Sequence, residues 1–351
     1  MRRISAFASN AQRLLWGRAE SEEQELTIAN PVIAEILRGE RIESFHRGSF
    51  VVVDAAGMKI LAQGDITSPV YPRSAIKAFQ CVPVIESGAA DHFGLTDEEI
   101  ALCCSSHNGE ASHVRVAASI LAKAGIGEAA YECGSHWPTD TKSAHALVRV
   151  GLEPSAIHNN CSGKHAGMLA LAKHLGVTAE GYVKPEHPVQ RAVAAAINQL
   201  CEVDVDKAAV AIDGCSVPTW ALPLSSLAKG FAGLSNPEFA AGRRIIAAAR
   251  AHPLMIEGSS GFDSKIMQAV PRLFVKFGAE GVFCGTIPHA RLGFALKCDD
   301  GAGRAARLAV AGMLLKLDVW TAEEKQRLES FATTSMHNWR KLEVGQTRAS
   351  F

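Results

Sequence analysis

The alternation of apolar and polar positions predicts strands near both ends of the chain and helices between them. Residues 49–54 are a β-branched run, residues 55–57 form a turn and residues 58–63 return, which predicts an antiparallel hairpin. Three later apolar runs predict strands at residues 273–277, 281–285 and 292–297. This order indicates an α+β fold in which the N- and C-terminal strands share one antiparallel sheet.

Helical periodicity fills most of the region between the predicted strands. Helices are predicted at residues 75–88, 96–104, 111–124, 162–174, 188–200, 221–231, 237–251, 263–270 and 302–317. A buried strand is predicted at residues 208–212. Since no repeat or low-complexity linker divides the chain, we expect residues 27–345 to form a single domain. Residues 1–26 lack the apolar core of a signal peptide and are expected to be a peripheral extension.

Composition narrows the choice of partner and compartment. The chain has 351 residues, of which 36 are basic and 36 acidic, and this balance argues against a dedicated nucleic-acid or membrane-surface binder. No apolar run approaches the roughly 18 residues of a spanning helix. The nine cysteines are odd in number, irregularly spaced and without a Cys-x-x-Cys pair, unlike a secreted disulfide framework. We therefore expect a reducing, cytoplasmic location.

A Ser-x-x-Lys pair, Ser74 and Lys77, opens the first predicted helix. Residues three apart share a helix face, so the hydroxyl and the amine can meet in one pocket. A serine becomes a good nucleophile when a nearby base takes its proton, and a lysine with a lowered pKa is such a base. The same spacing also occurs on solvated helix faces, so the pair alone leaves both interpretations open.

Other polar clusters lie where helices or strands end. They are Ser105-Ser106-His107, Cys161-Ser162-Gly163-Lys164-His165 and Asp213-Gly214-Cys215, with Lys276-Phe277-Gly278 on a late strand. Lys164 and His165 fall in the first turn of a predicted helix, where cations oppose the helix dipole, which indicates that they serve a partner. A Ser-x-x-Lys pair, a later serine and a late Lys-x-Gly follow the order of serine β-lactamases and penicillin-binding proteins.

Longer strings carry a more specific resemblance. They are Pro72-Arg73-Ser74-Ala75-Ile76-Lys77, Ser105-Ser106-His107, Asn160 to Met168, His187-Pro188-Val189-Gln190, Asp213 to Thr219 and Lys276 to Gly281. Over residues 49–344 the chain resembles the rhizobial-type L-asparaginases. This resemblance implies a fold like that of serine β-lactamases and penicillin-binding proteins, a homodimer, and hydrolysis of L-asparagine to L-aspartate and ammonia.

The resemblance also implies roles for individual residues. The catalytic pairs are Ser74 with Lys77 and Ser106 with Lys276, and we favour Ser74 as nucleophile and Lys77 as base because one helix fixes both. The expected zinc ligands are Cys161, Lys164 and Cys215. The expected substrate-binding residues are Arg73, His107, His165 and Asp213. Zinc would have either a structural role or an influence on substrate affinity.

Two other functions stay open at this point. The first is another serine–lysine amidohydrolase, either a glutaminase or a β-lactamase-like enzyme. It shares the catalytic motifs but not the string from Cys161 to His165. The second is a zinc-dependent, non-enzymatic binding protein on the same scaffold, and the presence of all four serine and lysine residues of the two pairs argues against it.

Overall fold

Strands from both ends of the chain meet in one antiparallel sheet. The computed structural model describes residues 29–351, so the expectation for residues 1–26 lies outside the described part. The strands are β1 Val32–Arg38, β2 Arg41–Val53, β3 Lys59–Gln63, β4 Pro69–Val70, β5 Val210–Ile212, β6 Pro218–Trp220, β7 Leu222–Pro223, β8 Phe274–Gly278, β9 Val282–Ile287, β10 Leu292–Cys298, β11 Thr333–His337 and β12 Glu343–Ala349. The main sheet has the order β11-β12-β1-β2-β10-β9-β8, and β3 pairs with β2.

Most of the helical region lies between β4 and β8. The helices are α1 Lys77–Glu86, α2 Ala89–His92, α3 Asp97–Cys103, α4 Ala111–Ala124, α5 Thr141–Arg149, α6 Ser162–His174, α7 Pro188–Cys201, α8 Leu224–Leu234, α9 Ala240–Ala251, α10 Pro253–Ile256, α11 Phe262–Ala269, α12 Gly303–Leu315 and α13 Ala322–Ala332. None of the helices within residues 29–351 combines the length and the apolar content that crossing a bilayer requires.

The predicted α+β fold class is confirmed. The hairpin is the antiparallel pair β2–β3, and β2 also pairs with β10, which joins N- and C-terminal strands directly. Successive residues 50–53 of β2 are all at most 1% exposed, since α8 packs against β2 and the ring of Phe50 packs against that of Phe351. The close packing of α8 depends on Gly293 of β10, where a Cβ would lie 2.1 Å from the carbonyl oxygen of Ala228.

Several local predictions differ from the structure. The prediction of a buried strand at residues 208–212 is wrong. Strand β5 is short and forms a two-stranded ribbon with β6, and Val210 and Ile212 are 53% and 80% exposed. Apolar β-branched residues fit an exposed strand as well as a buried one, so only tertiary packing decides. The apolar periodicity did not predict β1, β11, β12, α5 or α13. Strand β12 continues to Ala349, beyond residue 345, where the predicted domain ends.

Candidate active site

A single 3-10 turn, Arg73–Ile76, carries Ser74 immediately before α1. Ser74 lies in the turn and Lys77, three residues later, is the first residue of α1, which is the spacing at which side chains share a side of a 3-10 or α-helical turn. Arg73 has a φ of 52°, an uncommon conformation for a residue with a side chain. Its Nε donates to Asp213 Oδ1 over 2.6 Å, and this ion pair holds the strained residue in place.

Lys77 is completely buried, and its partners are backbone carbonyls. Its Nζ donates to the carbonyl oxygen of Ser105 over 2.5 Å and to that of Asn160 over 3.4 Å. Burial lowers the pKa of Lys77, and the nearby Lys164 and Lys276 ammonium groups lower it further, against an opposing effect of the Cys161 thiolate. A lysine with this environment can lose its proton and accept another from a hydroxyl.

The loop after α3 brings the second serine to the same region. The amide of His107 donates to Asn160 O over 3.1 Å, so one carbonyl oxygen accepts from both this loop and Lys77. Ser106 Oγ is buried and has no hydrogen-bond partner among the described residues. A buried hydroxyl without a partner is costly, which indicates a position kept for a ligand or a reacting group.

His107 anchors this loop through both ring nitrogens. Its Nδ1 accepts from the amide of Gly109 over 3.2 Å, so its Nε2 carries the proton and donates to Ser162 Oγ over 2.9 Å. Burial and the neighbouring His113 hold the pKa of His107 well below its usual value, which keeps the ring neutral.

Strand β8 carries Lys276. Lys276 is fully buried, and its Nζ donates to Asp263 Oδ2 over 3.2 Å and to its neighbour's carbonyl, Phe277 O, over 2.8 Å. Two residues later, a Cβ on Gly278 would lie 2.4 Å from Pro72 O. The glycine of the Lys-x-Gly motif therefore lets β8 lie directly against the turn that carries Ser74.

Helix α6 and the β5–β6 turn bring the predicted metal ligands together. Lys164 Nζ donates to Cys215 Sγ over 3.0 Å. A hydrogen bond from Cys215, helped by the Lys164 charge, outweighs burial and holds the pKa of Cys161 well below its usual value. Burial acts to lower the pKa of Lys164, but the Cys215 and Cys161 thiols outweigh it and raise that pKa. These shifts favour the thiolate form of Cys161 and the ammonium form of Lys164.

The three predicted ligand side chains are chemically suited to bind zinc. Two sulfur atoms suit zinc, and the lowered pKa of Cys161 supplies the thiolate that a metal needs. Lys164 would have to give up its proton to bind, so metal and proton compete for it. Cys161, Lys164 and Cys215 would hold the ion, which would supply positive charge beside the Arg73–Asp213 pair.

The two remaining predicted substrate residues flank this cluster. Asp213 is 10% exposed in its side chain, and its Oδ2 lies 4.0 Å from Cys215 Sγ. His165 shares a hydrogen bond of 2.7 Å between Nδ1 and the Tyr182 hydroxyl, while its buried Nε2 has no partner among residues 29–351. Burial and the Lys164 charge lower the pKa of His165 to about 4. A neutral ring therefore lies beside the Cys215 thiol.

The fold thus brings all the predicted clusters to one place, and it adds residues that the sequence did not single out. Asp263 and Tyr182 contact Lys276 and His165. An acidic residue in the first turn of a helix, as Asp263 is in α11, is a common pattern, so its sequence position carries no signal of a buried role.

Comparison with known proteins places the chain in a family. A β-lactamase from Mycobacterium bovis is similar in structure, with 14% identity over 81% of this chain and 94% of that chain and a TM-score of 0.42. The native form of a protein called Mglu gives 14% identity over 78% of this chain and 64% of that chain, with a TM-score of 0.36. No curated protein sequence matches significantly. The sequence model of the L-asparaginase II family matches residues 34–349, and the chain therefore belongs to that family.

Proposed function

We propose that the protein is an L-asparaginase that hydrolyses L-asparagine to L-aspartate and ammonia by serine–lysine catalysis. Membership of the L-asparaginase II family supports amide hydrolysis of a small molecule. The observation that carries the catalytic proposal is the environment of Lys77. It is a fully buried amine with a lowered pKa, it donates to carbonyl oxygens, and it starts the helix that follows Ser74.

In the proposed reaction Lys77 Nζ takes the proton from Ser74 Oγ, and the oxygen attacks the carboxamide carbon of asparagine. The tetrahedral intermediate collapses when the C–N bond breaks, and the proton passes from Lys77 to the departing ammonia. The resulting aspartyl ester on Ser74 is then hydrolysed by water, which Lys77 deprotonates. Aspartate leaves and Ser74 regains its proton. Hydrogen bonds that are missing in a free enzyme commonly form with substrate, and Ser106 Oγ is free to make one.

The α-carboxylate and α-amino groups of asparagine require fixed charges of opposite sign. Arg73, the residue before Ser74, and Asp213 provide them as one ion pair of 2.6 Å. We propose that the remaining guanidinium N–H groups bind the α-carboxylate and that Asp213 Oδ2 binds the α-ammonium. His165, which lies beside Cys215, is proposed to complete the substrate site. His107 is proposed to fix the loop that carries Ser106.

The test is ammonia release by the wild type with asparagine or glutamine, together with hydrolysis of a chromogenic β-lactam. Asparagine is expected to be the preferred substrate, and preference for glutamine or the β-lactam would replace the proposal by the corresponding alternative. Ser74→Ala is expected to lose activity by at least about a thousandfold, in line with loss of a nucleophile. Ser235→Ala is the matched control, because that buried hydroxyl only donates to Ala232 O outside the site. If Ser74→Ala stays fully active and Ser106→Ala is inactive, Ser106 is the nucleophile.

We also propose zinc at Cys161, Lys164 and Cys215, a homodimer, and a cytoplasmic location. The nine cysteines, all within the described residues, are buried and free, which is consistent with a reducing compartment. Light scattering that finds a monomer at assay concentrations would end the dimer proposal. Absence of any zinc in protein purified without chelators and in metal-supplemented protein after desalting would end the metal proposal.

A further inference from the structure

The loop that carries Ser106 is held by the backbone of a second segment. Ser106 N donates to Ile256 O over 2.9 Å, and Asn108 N donates to Glu257 O over 3.0 Å. Both carbonyl groups lie at the end of α10, just before α11. The Ser106 hydroxyl takes no part in these contacts and stays without a partner among the described residues. The position of Ser106 therefore depends on how firmly these two segments are joined.

The carboxylate of Glu110 joins the same two segments a second time. Its Oε1 accepts from Ser259 N and from Ser259 Oγ, each over 2.7 Å, and from Asn108 Nδ2 over 3.1 Å. Asn108 belongs to the Ser106 loop, and Ser259 lies two residues after Glu257. One oxygen atom therefore binds both partners of the backbone pairing, next to its last hydrogen bond.

The Asn108 side chain fits closely between the segments. Asn108 is 7% exposed, and its Nδ2 also donates to Ser260 Oγ over 3.3 Å. Gly258 has a φ of 114°, which favours glycine, and a Cβ there would lie 2.3 Å from Asn108 Oδ1. The glycine lets the backbone of the second segment lie directly against the Asn108 amide group, so a hydrogen bond to this side chain also fixes the loop.

The environment of Glu110 makes its hydrogen bonds strong. Glu110 is the residue immediately before α4, where the helix dipole favours a negative charge. Burial acts to raise the pKa of Glu110, but the hydrogen bonds from Ser259 and Asn108 outweigh burial and lower that pKa. Hydrogen bonds to a charged acceptor are roughly twice as strong as those between neutral groups. The three bonds to Oε1 are therefore a firm link between the two segments.

We propose that Glu110 is a positioning residue for Ser106. Its carboxylate fastens the Ser106 loop to residues 256–260 through Asn108 and Ser259, and this hydrogen-bond clamp fixes the Ser106 hydroxyl within the site. The inference rests on the proposed function, in which Ser106 either assists the attack on the amide or performs it. In both cases the rate depends on the placement of its hydroxyl.

The first test compares Glu110→Ala with Glu110→Gln in ammonia release from asparagine. Loss of the clamp is expected to lower kcat of Glu110→Ala about 10- to 100-fold, since displacement of a reacting group by about 1 Å costs up to about a hundredfold. KM is expected to stay within about threefold, because Arg73 and Asp213 bind the substrate in the proposed site. Glu110→Gln keeps an acceptor oxygen and is expected to retain at least about a third of wild-type kcat. Equal loss in both variants, or no loss in Glu110→Ala, overturns the proposal.

A milder variant tests whether Glu110 and Ser259 act through one contact. Ser259→Ala removes the hydroxyl and keeps the backbone bond, so kcat is expected to fall about three- to tenfold. With Glu110→Ala already present, the hydroxyl has no carboxylate to bind, and the double variant is expected to match Glu110→Ala within about twofold. Losses that multiply instead would overturn the shared contact.

Glu324→Ala is the matched control for a general loss of stability. Glu324 also lies near the start of a helix and accepts from a backbone amide and a hydroxyl, Thr321 N over 2.9 Å and Thr321 Oγ1 over 3.1 Å. It is expected to be less stable than the wild type and to keep kcat within about threefold, because these contacts lie outside the site. A loss of kcat as large as that of Glu110→Ala would overturn the positioning role.

Hydrogen exchange without substrate separates this inference from the proposed reaction. By NMR, the Ser106 and Asn108 amides are expected to exchange at least about tenfold faster in Glu110→Ala than in the wild type. The His107 amide, which donates to Asn160 O over 3.1 Å, is expected to change less than about threefold. Unchanged exchange at Ser106 and Asn108 overturns the inference. If the wild type releases no ammonia from asparagine while exchange behaves as expected, the reaction is wrong and the clamp stands.

Discussion

Replacement of Gly278 by alanine tests whether the contact between β8 and the Ser74 turn sets the catalytic geometry. The added Cβ would lie 2.4 Å from Pro72 O and 3.0 Å from Ala75 N. Both are backbone atoms, so no side-chain rotation relieves the contact. The strand and the turn must move apart, and the turn carries Ser74 while the strand carries Lys276.

The size of the effect follows from this distance. To reach even a 3.0 Å contact with Pro72 O, the two backbones must separate by at least about 0.6 Å. Crowding of this kind in a packed interior costs roughly 1–3 kcal/mol of stability. Because misplacement of reacting groups by about 1 Å costs up to about a hundredfold in rate, we expect kcat for Gly278→Ala to fall about 10- to 100-fold.

The assay is ammonia release per folded protein, with the folded fraction taken from thermal unfolding followed by circular dichroism. Gly293→Ala is the matched control. A Cβ there would lie 2.1 Å from Ala228 O, a backbone clash in the same sheet but against α8. The control is expected to lose similar stability and to keep kcat within about threefold, which is the size of effect expected without a change at the site. A destabilised Gly278→Ala enzyme with wild-type kcat would refute the reasoning.

Three further predictions follow from single contacts. Asp213→Ala is expected to raise KM for asparagine at least tenfold, because Arg73 loses its ion-pair partner and the substrate loses its proposed ammonium-binding group. An unchanged KM contradicts the proposed role of Asp213 in substrate binding. Cys161→Ser is expected to lose bound zinc by elemental analysis, whereas Cys298→Ser, in the separate His46–Cys298–Asp300 cluster, is expected to keep it. The hydrogen bond from Arg272 lowers the pKa of Glu324 to about 2, so its stabilisation is present above pH 4.5 and is lost as the pH falls towards 2. Arg272 is partly exposed, so water weakens the pair, and Glu324→Gln is expected to lower the free energy of unfolding by only about 1–2 kcal/mol at pH 7. Near pH 2 the variant and the wild type are expected to have the same stability. Urea unfolding at the two pH values measures the difference.

Local chemistry in the sequence determined the parts of the fold that neighbouring residues decide. The β-branched runs and the turn at residues 55–57 predicted the β2–β3 hairpin, and the apolar periodicity predicted the bounds of α4, Ala111–Ala124. The motif spacing predicted that Ser74 and Lys77 share one helix, whereas the structure places Ser74 in a 3-10 turn and Lys77 at the start of α1.

Tertiary structure alone decided what depends on distant partners. Strand β12, with Gly345 and several polar residues, has a weak strand pattern and exists because β1 and β11 pair with its two edges. The exposure of Ile212 and the ion pair of Asp263 with Lys276 likewise depend on which surfaces the fold covers. Burial is a property of the packed chain. It separates a carbonyl-bound Lys77 from a carboxylate-bound Lys276, although the sequence presents both simply as lysines.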